Sequence, residues 1–255
     1  MTLRGEVAGE GDAVLLLHGL TATRRYVVHG SRALERAPRR VVMYDARGHG
    51  VSSPAPAGAY DYARLADDAV AVLDHLGIER AALVGQSMGS ATAVAVALGH
   101  PGRVRALAIV TPAHRGAPSP NLAHWDALAA GLESGGPEGF LAALGPLGVG
   151  ERWREAVRTV ILQRIGRHEH PGAVADALRG IPRSAAFDGM EALERIGVPT
   201  IVVGSRDEAD PDHPLAVAEE YVRRIPGARL VVEDAGESPL AWRGGALIKE
   251  ILPVV

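Results

Sequence analysis

Six short apolar runs, separated by longer amphipathic segments, restrict this chain to a layered α/β architecture. The runs are Ala13–Leu17, Val41–Tyr44, Ala81–Val84, Ala106–Val110, Thr200–Val203 and Leu230–Val232. Runs without polar alternation belong to strands buried on both faces, as in a parallel sheet covered by helices. The intervening segments carry helical spacing. In Tyr60–Leu76, for example, Leu65, Ala69, Val72, Leu73 and Leu76 recur at three- and four-residue intervals before Gly77, a helix stop. Strand and helix repeated in this way predict a doubly wound sheet whose ligands sit at the carboxyl ends of the strands.

The alternation lapses between Thr111 and about Arg195. That stretch predicts helices at Leu122–Leu132, Pro137–Leu144, Arg152–Ile165 and Ala173–Leu178, with no strand among them. An insertion leaving the carboxyl end of a core strand is expected to form a lid over that edge of the sheet.

Composition narrows the partners. The chain has 255 residues and a formal net charge of -3, so no electrostatic case exists for nucleic acid or an anionic membrane. Lys249 is the only lysine and there are no cysteines, which excludes disulfides, thiolate metal sites and thiol chemistry. No apolar stretch reaches the roughly 18 residues of a spanning helix, and Met1–Glu6 has no leader-like apolar run, so a cytoplasmic protein acting on a small molecule is expected. No dinucleotide fingerprint follows a strand and no phosphate-binding loop motif is present. His168-Glu169-His170 puts its histidines on different helix faces before Pro171, a lid-surface turn rather than a metal site. No cofactor and no metal are expected.

The chemistry concentrates at Leu83-Val84-Gly85-Gln86-Ser87-Met88-Gly89-Ser90-Ala91. A buried strand ends and a small-residue helix begins there, which forces Ser87 into a strained corner. Glycine two residues before and two after avoids collisions with the adjoining strand and helix. The exposed hydroxyl is a candidate nucleophile, with the helix amino terminus behind it. The first strong strand ends in Leu17-His18-Gly19-Leu20. A serine hydrolase aims two backbone amides at the developing oxyanion, here those of Leu20 and Met88. His18 reads as a brace for its loop, and Tyr44–Ser52 as a buttress for the same edge.

His18-Gly19, Asp45-x-Arg47-Gly48-x-Gly50-x-Ser52 and Gly85-Gln86-Ser87-Met88-Gly89, in this order, resemble the α/β-hydrolase superfamily over essentially the whole chain. The resemblance implies an eight-stranded, mostly parallel sheet with a helical cap inserted after the sixth strand. Residues 1–111 and 191–255 would form the core and residues 112–190 the cap. It also implies hydrolysis of small carboxylic esters or lactones.

Family order places an acid after the strand Thr200–Val203, where Asp207 stands; Asp210 reads as a turn residue before Pro211. The family histidine belongs in the loop after the last strand, but Gly236-Glu237-Ser238-Pro239 puts Glu237 at its position. A carboxylate with a pKa near 4.3 is a poor base toward an alcohol. Three readings follow. Another histidine serves, with His213 foremost and His29, His114 and His124 behind it. Alternatively Glu237 itself acts, in hydrolysis or in a lyase or isomerase step. The third is a ligand-binding protein without normal turnover, and beyond these stands an engineered or degenerate variant.

Overall fold

All six apolar runs form strands, most of them longer than the apolar residues alone indicate. The structure, a computed structural model, describes residues 1–208, 210, 212–237, 242 and 244–255. The sheet elements are β1 (Arg4–Ala8), β2 (Asp12–Leu17), β3 (Arg39–Asp45), β4 (Ala81–Gln86), β5 (Val104–Val110), β6 (Thr200–Val203) and β7 (Arg229–Val231). The helices are α1 (Ala33–Arg36), α2 (Tyr62–His75), α3 (Met88–Gly99), α4 (Leu122–Leu144), α5 (Glu151–Ile165), α6 (Pro171–Gly180), α7 (Leu215–Arg224) and α8 (Gly244–Ile251).

The described residues form a seven-stranded sheet in the order β1-β3-β2-β4-β5-β6-β7, one strand fewer than the eight expected. The helical insertion therefore follows the fifth strand in chain order rather than the sixth. Every neighbouring pair is parallel except β1 with β3. β1 escapes detection because it is an edge strand, Arg-Gly-Glu-Val-Ala, with Val7 46% exposed. Backbone pairing such as Arg4 with Asp45 holds it, and such pairing leaves no apolar signature.

Side-chain alternation divides the core. Leu15, Leu17, Val42, Leu83, Leu107, Ile109 and Val202 point to one face, against α2, α3 and α7. Val14, Leu16, Val41, Ala82, Val84, Ala108 and Val203 point to the other, against α1 and α8. Both faces are covered, which is why these strands read as unbroken apolar runs. The chain builds β3 on one side of β2 and then crosses back to lay β4 on the other. That reversal opens a crevice at the carboxyl ends of β2 and β4, where Leu20 and Ser87 emerge.

The insertion carries its own apolar cluster, including Leu128, Leu132, Phe140, Ile161, Ile165 and Leu178. α4 is broken at Gly136 (φ 58°, ψ −144°), as the two separate predicted helices require. Its halves fold back so closely that a Cβ on Gly139 would lie 2.1 Å from the Gly131 carbonyl oxygen. Ala173, Ala177 and Ile181 then pack against Ala46, Tyr60, Leu65 and Met88 of the core. The insertion is thus seated on the same sheet edge as Ser87. No helix among the described residues is long and apolar enough to cross a membrane.

Candidate active site

Ser87 occupies the corner between β4 and α3 with φ 53° and ψ −115°, a conformation costly for any residue with a side chain. The neighbouring glycines explain why the chain tolerates the turn. A Cβ on Gly85 would stand 2.2 Å from the Gly89 carbonyl oxygen, and one on Gly89 would stand 2.0 Å from that of Leu17. The corner is fixed by the Ser87 amide, which donates to the Val110 carbonyl at 3.0 Å. The loop after β2 lies directly alongside, since a Cβ on Gly19 would come 3.4 Å from that of Ser87. Met88, the first residue of α3, follows Ser87 directly, and Gly19, which precedes Leu20, lies beside it.

The Ser87 hydroxyl lies 2.9 Å from Nε2 of His213. Nδ1 of the same ring lies 2.9 Å from both carboxylate oxygens of Asp210. Two successive turns create this arrangement: the Asp210 amide donates to the Arg206 carbonyl, and the His213 amide to that of Asp210. Burial disfavours the charged ring, but the charge and hydrogen bond of Asp210, with the charge of Asp212, prevail and raise the His213 pKa above its ordinary value.

The other two expected partners lie elsewhere. Asp207 is exposed, and its Oδ1 accepts from the Leu215 amide at 2.8 Å, so it caps α7 instead of meeting the histidine. Glu237 is exposed on a turn whose amide donates to the Asp234 carbonyl. Among the described residues its carboxylate has no contact with Ser87 or His213, and Ser238, Pro239 and Leu240 lie outside that set. The buried acid of this region is Glu233. It accepts from the Ser205 hydroxyl at 2.8 Å, the Arg206 amide at 2.6 Å and the Trp242 indole at 3.1 Å. Glu233 thereby ties the loop after β7 to the root of the loop that carries Asp210 and His213. No sequence pattern announced it.

Buried polar contacts brace the crevice. The Ala46 amide donates to Nε2 of His18, so Nδ1 carries the proton and donates to the Gly19 carbonyl at 2.8 Å. His18 is the expected loop brace. Asp45, fully buried, accepts from the Arg24 amide and guanidinium and from the Val51 amide. Arg47 forms a two-pronged pair with Asp68, both contacts 2.8 Å. His168 is no surface turn residue. The Gly50 amide donates to its Nδ1 at 2.8 Å and its Nε2–H donates to the Thr21 carbonyl at 2.9 Å, pinning the insertion to both site loops.

These rings are held neutral. Burial pushes His168 and His114 down to about 4, and His18 and His49 below the ordinary value. A histidine depressed on folding contributes stability that is intact above its unfolded pKa near 6.5 and drains away as pH falls toward 4. Between pH 6 and 5, above the carboxylate range, urea denaturation should show stability falling by about 1.4 kcal/mol per pH unit for each of His168 and His114. His168→Gln should remove one such increment from the slope, and an unchanged slope would show that His168 is not buried neutral.

The remaining candidate histidines do not meet the serine. His114 accepts from the Ala186 amide between Tyr62 and Phe187, His124 stands beside Trp125, and the His29 ring lies 6.0 Å from Tyr26. Trp125 spends its indole N–H on Ser119. Among the described residues no group of three or more His, Cys, Asp or Glu side chains could hold a metal ion.

Residues 12–160 match the model of the alpha/beta hydrolase fold family. A putative carbamate hydrolase RutD of Caulobacter sp. (strain K31) is 30% identical over 236 residues, covering 92% of this chain and 86% of that protein. The enol-lactonase of Burkholderia xenovorans LB400 superimposes with a TM-score of 0.78 at 27% identity, over 98% of this chain and 95% of the other. A thermophilic esterase of Thermogutta terrifontis, with malate bound, does so with a TM-score of 0.81 at 27% identity, over 98% and 91%. Sheet order, the strained corner at Ser87 and sequence likeness over most of the chain agree, and this protein belongs to the α/β-hydrolase family of enzymes.

Proposed function

We propose that the protein hydrolyses small carboxylic esters or lactones through a Ser87–His213–Asp210 triad, under a cap formed by residues 112–190. The observation that carries this reading is the continuous line of hydrogen-bonding distances from Asp210 through both ring nitrogens of His213 to the Ser87 hydroxyl. The similarity to an esterase and an enol-lactonase supports the substrate class. Glu237 has no part in it. His213 takes the Ser87 proton as Oγ attacks the carbonyl carbon, and the developing oxyanion is received by the amides of Leu20 and Met88. The ring returns that proton to the leaving alkoxide, giving the alcohol and an acyl-serine. A water, deprotonated by the same nitrogen, then releases the acid. Asp210 keeps the proton on Nδ1, leaving Nε2 free to accept, and balances the imidazolium.

A fluorophosphonate probe tests the assignment. The adduct is expected on Ser87, with a labelling rate that rises with pH through a midpoint above 6.5, because the raised His213 must be deprotonated to activate the hydroxyl. Absence of labelling, or an adduct on another residue, would refute the assignment. No cofactor enters the scheme.

A further inference from the structure

The arginines of the helical insertion differ in how their guanidinium groups are placed. Arg158, Arg179 and Arg183 pair with Glu138, Glu133 and Asp126 in solvent-exposed ion pairs. Arg164, in the last turn of α5, has no hydrogen bond or ion pair for its guanidinium among the described residues, and its Nε is sealed from solvent without an acceptor. One donor of a charged group is thus buried without an acceptor, which costs free energy. A ligand that accepts from this donor would complete it.

Its position indicates which ligand. Four residues beyond Arg164, past the end of α5, His168 bonds the Thr21 carbonyl, next to Leu20, and the Gly50 amide. The other end of α5 is tethered through Arg152, which donates to the Gly236 carbonyl at 3.1 Å. α5 therefore spans the crevice from one site loop to the other. The charge of Arg164 is felt by His213, and those of Asp210 and Asp212 are felt by Arg164. Asp210 offers Arg164 nothing within pairing distance, because both its oxygens already face His213.

We propose that Arg164 is a substrate-anchoring residue that receives a carboxylate carried by the ester or lactone, holding the scissile carbonyl over Ser87. A guanidinium presents a planar fork that matches a carboxylate with two parallel hydrogen bonds, and a neutral acyl chain would leave that fork empty. This assignment rests on the hydrolytic reading of Ser87 and narrows its substrate to anionic esters and lactones.

The test compares two esters of equal acyl length, mono-4-nitrophenyl succinate and 4-nitrophenyl butyrate. Arg164→Gln is expected to lower the ratio of their kcat/KM values, anionic over neutral, on the order of a hundredfold, and Arg164→Lys about tenfold. Succinate should also protect Ser87 of the native enzyme from the fluorophosphonate, and protect the Gln variant much less. A ratio that moves less than threefold while both esters are turned over would overturn the assignment and leave the hydrolytic reading intact. If the native enzyme cleaves neither ester, the hydrolytic reading fails; succinate binding by calorimetry then decides for or against Arg164 alone, by its presence in the native protein and loss in the Gln variant.

Discussion

His213→Ala is expected to lower ester turnover by about a millionfold, the loss seen when a serine hydrolase is deprived of its base. The ring has two duties at one atom: it accepts the Ser87 proton during attack and delivers it to the departing alkoxide. A serine hydroxyl without that acceptor is almost wholly protonated at neutral pH, and no other side chain among the described residues is placed to replace it. Ser87→Ala should fall to the same floor, since acid, base and nucleophile act as one unit. The double variant should fall no further, leaving the roughly 10³–10⁴-fold advantage over water that oxyanion stabilisation and binding supply. Initial rates with a 4-nitrophenyl ester, on enzyme freed of wild-type contamination, would measure it. Should His213→Ala retain more than a hundredth of the native rate, the proton must travel by another route and the triad proposed above is wrong.

The second large effect belongs to Asp210. Asp210→Asn preserves the shape of the side chain but lets its amide donate toward Nδ1, which favours the tautomer whose proton sits on Nε2, facing Ser87. A base so protonated cannot accept, and turnover should fall by about 10⁴-fold. Asp207→Asn supplies the contrast. Its carboxylate meets the Leu215 amide at 2.8 Å, so the substitution should cost about 1 kcal/mol or less of stability through a weakened helix cap and less than tenfold in kcat. Reversed magnitudes for the two aspartates would return the acid to the position suggested by family order.

How far the sequence alone leads depends on whether a feature is held locally or from a distance. The Ser87 corner is legible because its requirements are local: Gly85 and Gly89 are where a Cβ would strike backbone 2.2 and 2.0 Å away. The parallel strands are legible because both faces are buried. β1 is not, since an edge strand is secured by main-chain pairing that any sequence can make. The family frame points to Asp207 and Glu237, whereas two consecutive turns between Arg206 and His213 bring the Asp210 carboxylate to the ring that faces Ser87. The setting of His168 is illegible for a related reason. Its partners, Thr21 and Gly50, are 147 and 118 residues away in the chain, and only the docked insertion brings them near. Glu233 and the unpaired Arg164 acquire meaning in the same way, from what the fold sets beside them.

Asp210 and His213 come from a single short loop, three residues apart, and this governs how such a site responds to motion. When acid and base sit on separate loops, any displacement of one disturbs their mutual alignment. In the proposed triad both belong to one piece of chain, so their pairing is set within that piece and only the reach to Ser87 depends on the rest of the fold.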